Sequence, residues 1–134
     1  MKKLLSIAIS LIFLTFIFSC GKKDQPQTTA QKVQNKWTIV NIIDNTHDSS
    51  GDQRDTIVGT PGVDFFNFGA NGSLTGHLMG GDANGNYSIV SNTQISINGQ
   101  VFTINALTGS QFVLYGKNVV STTEYDEETI NMKR

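Results

Sequence analysis

Apolar side chains in this chain recur at every second position, and this period constrains the fold more than any other feature. The alternation runs through short segments at positions 37–43, 66–68, 87–90, 95–97, 102–106, 112–115 and 129–133. A period of two places alternate side chains on one face of a β-strand, whereas a helix needs apolar residues three or four positions apart. No segment carries a convincing helical stripe. The sequence therefore predicts an all-β protein.

The turn residues support the same fold class. Asn71-Gly72 and Asn98-Gly99 each separate two alternating runs, and Asn-Gly is the strongest short hairpin signal because both residues tolerate positive φ. Positions 80–85 and 108–110 predict two further turns. Short strands in this rhythm predict an antiparallel up-and-down meander of about eight strands, and closure into a barrel removes its two free edges. The long connection 44–62 lacks this regular succession of short strands and turns, and only a short strand at 56–58 is predicted within it.

The first residues read as a lipoprotein signal. Lys2 and Lys3 precede an apolar run over 4–18, which is shorter than the roughly 20 residues that span a bilayer. The run ends Ile-Phe-Ser-Cys-Gly, which resembles the lipobox of bacterial lipoproteins. Cys20 is the only cysteine, so it cannot form an intramolecular disulfide, and its thiol is suited to lipid attachment. The alternative is an uncleaved signal anchor with an incidental cysteine.

These features divide the chain into a signal peptide over 1–19, a lipidated cysteine and flexible tether over 20–35, and one small domain over 36–134. Fatty acyl chains such as palmitate on Cys20 would anchor the protein to the membrane of a bacterial cell envelope, with the outer membrane expected and the leaflet open. Removal of the signal takes two of the ten basic residues and leaves eight against eleven acidic ones. This mildly acidic balance argues against nucleic-acid binding, which requires a basic face.

The order of motifs resembles the lipocalin-like domain of small lipoproteins of the Bacteroidetes type. The matching stretches are a Trp-bearing first strand at 35–40, an aromatic strand entering a Gly turn at 66–74, a Gly-x-aromatic strand at 85–89, a strand pair at 93–107 and a further strand at 111–115. The resemblance implies a small lipocalin-like β-barrel and a role in binding a small molecule or a partner. The long gap between Trp37 and Phe66 predicts an irregular barrel on that side.

Metal and cofactor chemistry is not indicated. His47 and His77 have no ligand-motif spacing, and we expect both to be half-exposed surface residues. The stretch 82–86 begins like a calcium loop, but Tyr87 stands where the loop needs Gly and Thr93 where it needs Glu. We therefore predict neither a metal site nor a cofactor.

Catalysis is not indicated either. The chain has no Gly-x-Ser-x-Gly elbow, and lipid attachment would consume its only thiol. The acidic residues between Glu124 and Glu128 are expected to repel one another into solvent rather than form a general acid. We predict no catalytic residues and no enzymatic activity.

Six aromatic residues are the candidates for ligand binding, because the alternation places them inside the barrel: Trp37, Phe66, Phe68, Tyr87, Phe102 and Phe112. Around a cavity they would bind a small apolar ligand or an envelope component. The alternative is a structural or protein-interaction module with a solid barrel core and no ligand, in which these residues only pack. The connection 44–62 and the outer face, which includes Val113 and Tyr115, would then make the contacts, with a protein partner that the sequence does not identify.

Overall fold

The structure is a computed structural model that describes residues 25–134, so the predicted signal peptide and Cys20 lie outside the described residues. The described part consists of one short helix and nine strands. They are α1 (Thr29–Val33), β1 (Lys36–Asp48), β2 (Gly51–Val58), β3 (Phe65–Phe68), β4 (Ser73–Leu78), β5 (Gly81–Ser91), β6 (Gln94–Ile97), β7 (Gln100–Leu107), β8 (Gln111–Val119) and β9 (Tyr125–Lys133).

The strands form a closed antiparallel barrel, which confirms the predicted fold class. Strand β1 pairs with β3, each later strand pairs with the next, and β9 pairs again with β1. Eight strands, β1 and β3 to β9, therefore close the barrel in up-and-down order. One end, which we call the closed end, carries α1 and the turns at 69–72, 92–93 and 108–110. The other, the open end, carries the turns at 49–50, 79–80, 98–99 and 120–124.

Strand β2 lies outside this barrel. Positions 36–38 of β1 pair with β3, and positions 41–48 pair with β2. Strand β9 pairs with the other edge of β1, along 38–47. Strands β3 and β2 therefore share a single edge of β1, with β3 along its first residues and β2 along its last. Positions 41–58 thus form a long hairpin where a connection with only a short strand at 56–58 was predicted, and β2 is an extra strand on this side of the barrel.

A β-bulge changes the inward face of β1. The register against β9 shifts between Ile39 and Asn41, because an extra residue in one strand reverses the alternation of those that follow. Ile42 therefore joins Trp37 and Ile39 in the core and is 5% exposed, whereas Ile43 faces outward with Asn41. The sequence alternation had placed Ile43 on the face of Trp37, and that prediction is wrong.

Two of the predicted turns show how local residues set the ladder. Asn98 and Gly99 have φ of 50° and 90°, the geometry that the Asn-Gly signal predicts. The turn expected at 80–85 is displaced: Met79 and Gly80 form it, and Gly81 already begins β5. Side chains along 82–86 therefore point alternately to opposite faces, so they cannot converge on a calcium ion.

Helix α1 seals the closed end and was not predicted from sequence. The Thr28 side chain accepts from the Gln31 backbone N–H and the Gln31 side chain accepts from the Thr28 N–H, a capping box. Val33 is fully buried, and the Trp37 Nε1–H donates to the Val33 carbonyl at 3.0 Å. The folded unit therefore begins near Thr28, within the segment expected to be a tether. Within 25–134 no helix has the length and hydropathy to cross a membrane.

Candidate functional site

The barrel interior is packed near its closed end. The ring centroid of Phe112 lies 5.3 Å from that of Trp37 and 5.6 Å from that of Phe68, and Phe68 meets Tyr87 edge to face at 5.1 Å. The Tyr87 hydroxyl donates to the Gly69 carbonyl at 2.8 Å. Four of the six aromatic candidates thus fill the base of the barrel, as expected of a solid core.

The interior near the open end is not filled. A cavity of about 280 Å³ lies there, and we call it the apolar chamber. Its apolar wall consists of Phe66, Leu74, Ala83, Ile97, Phe102 and Ile130, and its polar lining is Asn84, Asn98, Gln100 and Glu128. Phe66 and Phe102 are thus the two predicted aromatic candidates that line a cavity.

Glycines on neighbouring strands set the position of both rings. A Cβ atom at Gly116 would lie 2.7 Å from Cε1 of Phe102, and one at Gly76 would lie 2.6 Å from Cδ1 of Phe66. Real Cβ atoms do not approach so closely, so each ring packs against backbone where only glycine leaves it room. The rings consequently form part of the chamber wall instead of crossing its space.

Above the chamber lies a wider polar cavity of about 560 Å³, which we call the acidic mouth. Gln100 and Glu128 line both cavities, so the two adjoin each other. The mouth is further lined by Asp44, Asn45, Thr46, Gly116, Asn118, Asp126 and Glu127.

Strand register explains why carboxylates collect in the mouth. Ile42 lies opposite Ile130, Asp44 opposite Glu128 and Thr46 opposite Asp126. Ile42 and Ile130 are buried in the core, and positions two and four residues further along each strand share the same face. Asp44, Glu128 and Asp126 therefore project toward the lumen.

These carboxylates carry uncompensated charge. None of the ion pairs among residues 25–134 involves Asp44, Asp126 or Glu128. Burial, followed by the neighbouring charge of Asp44, raises the pKa of Glu128 above its ordinary value. Burial, and then the charges of Asp55 and Asp126, likewise raises the pKa of Asp44. Like charges confined in a partly buried site disfavour ionisation unless a cation joins them.

A second polar cluster lies on the outer face of β1, β8 and β9. His47 Nδ1 is 2.8 Å from Asp52 Oδ1, and its ring stacks on Tyr125 with centroids 4.2 Å apart. Glu127 accepts from the Tyr115 hydroxyl at 2.7 Å and from Lys117 Nζ at 3.2 Å. These contacts tie β2 and β1 to β9 and β8 across the sheet surface.

Hydrogen bonds within this outer cluster shift the pKa values of two of its groups in opposite directions. The bond from Tyr115, then the bond from Lys117, lowers the pKa of Glu127, and the same Tyr115 bond is the main cause of the raised pKa of Tyr115. His47 and His77 are each half-buried beside an exposed Asp. Within the described residues no group of three or more His, Cys, Asp or Glu side chains is arranged to hold a metal ion.

Sequence reasoning missed most of the chamber and the whole mouth. Leu74, Ala83, Ile97 and Ile130 line the chamber but were not singled out, and the acidic residues after Glu124 were expected in solvent. A signal was present for the mouth. Ile130 and Met132 were predicted to alternate along the last strand, and extending that alternation back by two and four residues places Glu128 and Asp126 on the inward face.

The fold and the site together define a small eight-stranded antiparallel β-barrel, consistent with a lipocalin-like fold, that has a packed base and an open, partly apolar lumen. No protein-family model and no curated protein sequence matches the chain.

Proposed function

We propose that this chain is a lipid-anchored protein of the bacterial cell envelope whose barrel binds a small, mainly apolar molecule and catalyses no reaction on it. The apolar chamber is the observation that carries the proposal. Its wall contains two aromatic and three aliphatic side chains besides Ala83, and burial of apolar ligand surface there contributes about 25 cal/mol per Å². A chamber of about 280 Å³ suits a ligand of one or two rings or a short aliphatic chain.

The acidic mouth restricts the polar end of such a ligand. A carboxylate or phosphate at the opening would face Asp44, Asp126 and Glu128 with no cation paired to them among the described residues. Repulsion of like charges in a partly desolvated site is strong compared with that in water. A neutral or cationic head group is therefore favoured, whereas a fatty-acid anion is disfavoured.

The membrane anchor is supported by the sequence before the barrel. Lys2, Lys3 and the apolar run 4–18 precede Cys20 as a signal precedes an acylated cysteine, and the resemblance to Bacteroidetes lipoproteins points the same way. Only eight residue steps separate Cys20 from Thr28, where the folded unit begins. Such a link spans at most about 3.6 Å per residue, so the barrel would remain near the membrane surface.

The ligand is tested by native mass spectrometry of the chain from Gly21, expressed in a bacterial periplasm. This chain retains the helix and all nine strands. We expect a stoichiometric small molecule that is lost in Ile97→Trp, since Ile97 lines the chamber. The matched control is Val101→Trp, which adds the same indole on the barrel exterior, where Val101 is 47% exposed. Equal retention of the molecule by both variants would place it outside the chamber.

A second candidate function is protein interaction through β2. Among the described residues β2 pairs only with β1, and seven of its eight residues are exposed. An unpaired edge strand is a template for addition of a partner strand. A photoreactive residue at Gln53, compared with one at Val101 on the barrel wall, tests this. A discrete cross-linked protein at Gln53 alone would favour the interaction module, and adducts at neither position would dismiss it.

A further inference from the structure

Charge is segregated along the barrel axis. Four of the six described basic residues lie at the closed end, namely Lys32, Lys36, Lys133 and Arg134. The acidic side chains of residues 25–134 lie toward the open end. They lie on the β1–β2 hairpin (Asp44, Asp48, Asp52 and Asp55), in the loop before β3 (Asp64), at the start of β5 (Asp82), and in the loop before β9 and the first half of β9 (Glu124, Asp126, Glu127 and Glu128). The closed end is therefore basic in a chain with a net charge of −1.

The basic side chains are held by groups that leave their charge unneutralised. Arg134 donates from Nε and Nη2 to the Gly109 carbonyl at 2.9 and 2.6 Å and lies 4.7 Å from the Trp37 ring centroid. Lys36 Nζ lies 3.7 Å above the Phe65 ring, and Lys133 is exposed. None of the ion pairs among residues 25–134 involves these side chains.

We propose that the closed end of the barrel docks on anionic lipid headgroups, so that the open mouth points away from the membrane. The inference goes beyond the proposed ligand-binding function. It rests on the proposed anchor for the location of the barrel and for the short link that brings the closed end to the membrane. Two observations select a lipid surface as the partner. The closed end is complementary to anionic headgroups, whereas the acidic open end is repelled by them. The chain also enters the fold at the closed end, through α1, so a short link from Cys20 brings that end to the membrane.

Docking in this orientation determines how a ligand reaches the chamber. The base is sealed by α1 and by the packed aromatic cluster, so no route leads from the lipid surface through it. Exchange takes place through the acidic mouth from the aqueous side. The protein then handles a molecule dissolved in or delivered through the aqueous phase, not one drawn directly from the bilayer beneath it.

The test measures partition of the unacylated chain from Gly21 onto vesicles of equal parts phosphatidylcholine and phosphatidylglycerol at low salt. Two double variants remove the same charge from opposite ends: Lys36→Gln with Lys133→Gln, and Arg54→Gln with Lys117→Gln. Each cation near an anionic surface is expected to strengthen partition about fivefold. We expect the first variant to bind on the order of 25-fold more weakly and the second to bind as the parent does. Lys22 and Lys23 are present in every variant, so they do not contribute to the difference.

A probe measurement keeps the orientation testable even if a charge variant folds poorly. The chain from Gly21 contains no cysteine, so single cysteines can be labelled with a polarity-sensitive dye. Val90 adjoins the closed end and Val119 the open end, and they are 53% and 63% exposed. With the same vesicles we expect a blue shift for dye on Val90→Cys and none on Val119→Cys. Equal shifts at the two sites, or equal losses in the two charge variants, would overturn the proposal.

These outcomes are independent of the proposed function. The vesicle experiment contains neither acyl chain nor ligand, so failure to dock leaves the chamber and the anchor untouched. Conversely, absence of acylation at Cys20 would remove the anchor without changing vesicle partition of the unacylated chain.

Discussion

Replacement of Gly116 by Ala tests the geometry of the chamber wall. The new Cβ would lie 2.7 Å from Cε1 and 2.9 Å from Cδ1 of Phe102, while carbon atoms pack at about 3.5 Å or more. The Phe102 ring must therefore move by roughly 0.8 Å. Phe102 also lines the apolar chamber, so we expect the ring to shift into that space instead of forcing the backbone of β8 outward.

The energetic consequence follows from that free space. Overpacking a filled core costs about 1–3 kcal/mol, and the loss of backbone freedom in the unfolded chain on changing Gly to Ala returns about 0.4–1 kcal/mol. Because the ring can yield, we expect Gly116→Ala to destabilise the fold by only about 1 kcal/mol, or roughly 4–8 °C in Tm. The displaced ring should also reduce the chamber and weaken ligand binding.

Two other glycines serve as matched controls. At Gly76 the added Cβ would meet the Phe65 carbonyl oxygen at 2.7 Å as well as the Phe66 ring, and backbone cannot yield as a ring does. Gly76→Ala should therefore be the more destabilising change. At Gly109 nothing lies within 4 Å of the added Cβ, so Gly109→Ala should be neutral or slightly stabilising.

Urea or thermal unfolding followed by circular dichroism measures all three variants. If Gly116→Ala is as neutral as Gly109→Ala, the Phe102 ring does not lie against β8. If it is as damaging as Gly76→Ala, the space beyond Phe102 is occupied and the chamber is not a cavity. Either result would refute the reasoning.

Three further predictions concern the mouth, the base and the anchor. Burial, followed by the charge of Asp44, raises the pKa of Glu128 in the fold, so ionising Glu128 destabilises the protein. In urea unfolding, Glu128→Gln should therefore be more stable than the parent at pH 7, and this difference should vanish as the pH falls through about 4. Glu124→Gln, in the loop before β9, is the control for removal of one carboxylate. Tyr87→Phe removes the hydrogen bond to the Gly69 carbonyl and leaves that acceptor with one partner fewer. It should therefore lower the free energy of unfolding by about 1–2 kcal/mol. The control Tyr125→Phe also removes a tyrosine hydroxyl and should not lower it. Cys20→Ser should abolish incorporation of labelled palmitate into the protein in cells; undiminished labelling would contradict acylation at this residue.

Much of the barrel was predictable because its signals are local. Alternation of side chains depends only on the strand's own period, and Asn98-Gly99 forms its hairpin from the φ preferences of two residues. The bulge after Ile39 was not predictable in this way, since an added residue leaves no mark in composition. Helix α1 escaped detection for a related reason. It spans five residues and buries only Val33, too few for a helical stripe to be visible.

The candidate site was only partly predictable because a cavity depends on how strands meet. Alternation correctly placed Phe66 and Phe102 in the interior, yet it could not separate them from Phe68 and Phe112, which fill the base. The two pairs of rings differ in their height along the barrel axis. That height is set by the shear of the barrel and by the register between strands that are distant in sequence. The acidic mouth depends on the same register, since it places Asp44 beside Glu128 across 84 positions of sequence.

Small residues around the chamber give physical support to the idea of a ligand. Ala83 lines the chamber, and Gly76 and Gly116 lie directly behind the rings that form its wall. If the space were closed and dry, leaving about 280 Å³ empty would cost up to about 24 cal/mol per Å³, or roughly 7 kcal/mol; the open mouth reduces this by admitting water. A larger apolar residue at Ala83 would fill part of the space and stabilise so small a domain. The packed base, with α1 and its aromatic cluster, supplies the stability that the open half lacks. The packed base and the unfilled lumen thus lie at opposite ends of the barrel, and the same axis separates basic from acidic charge.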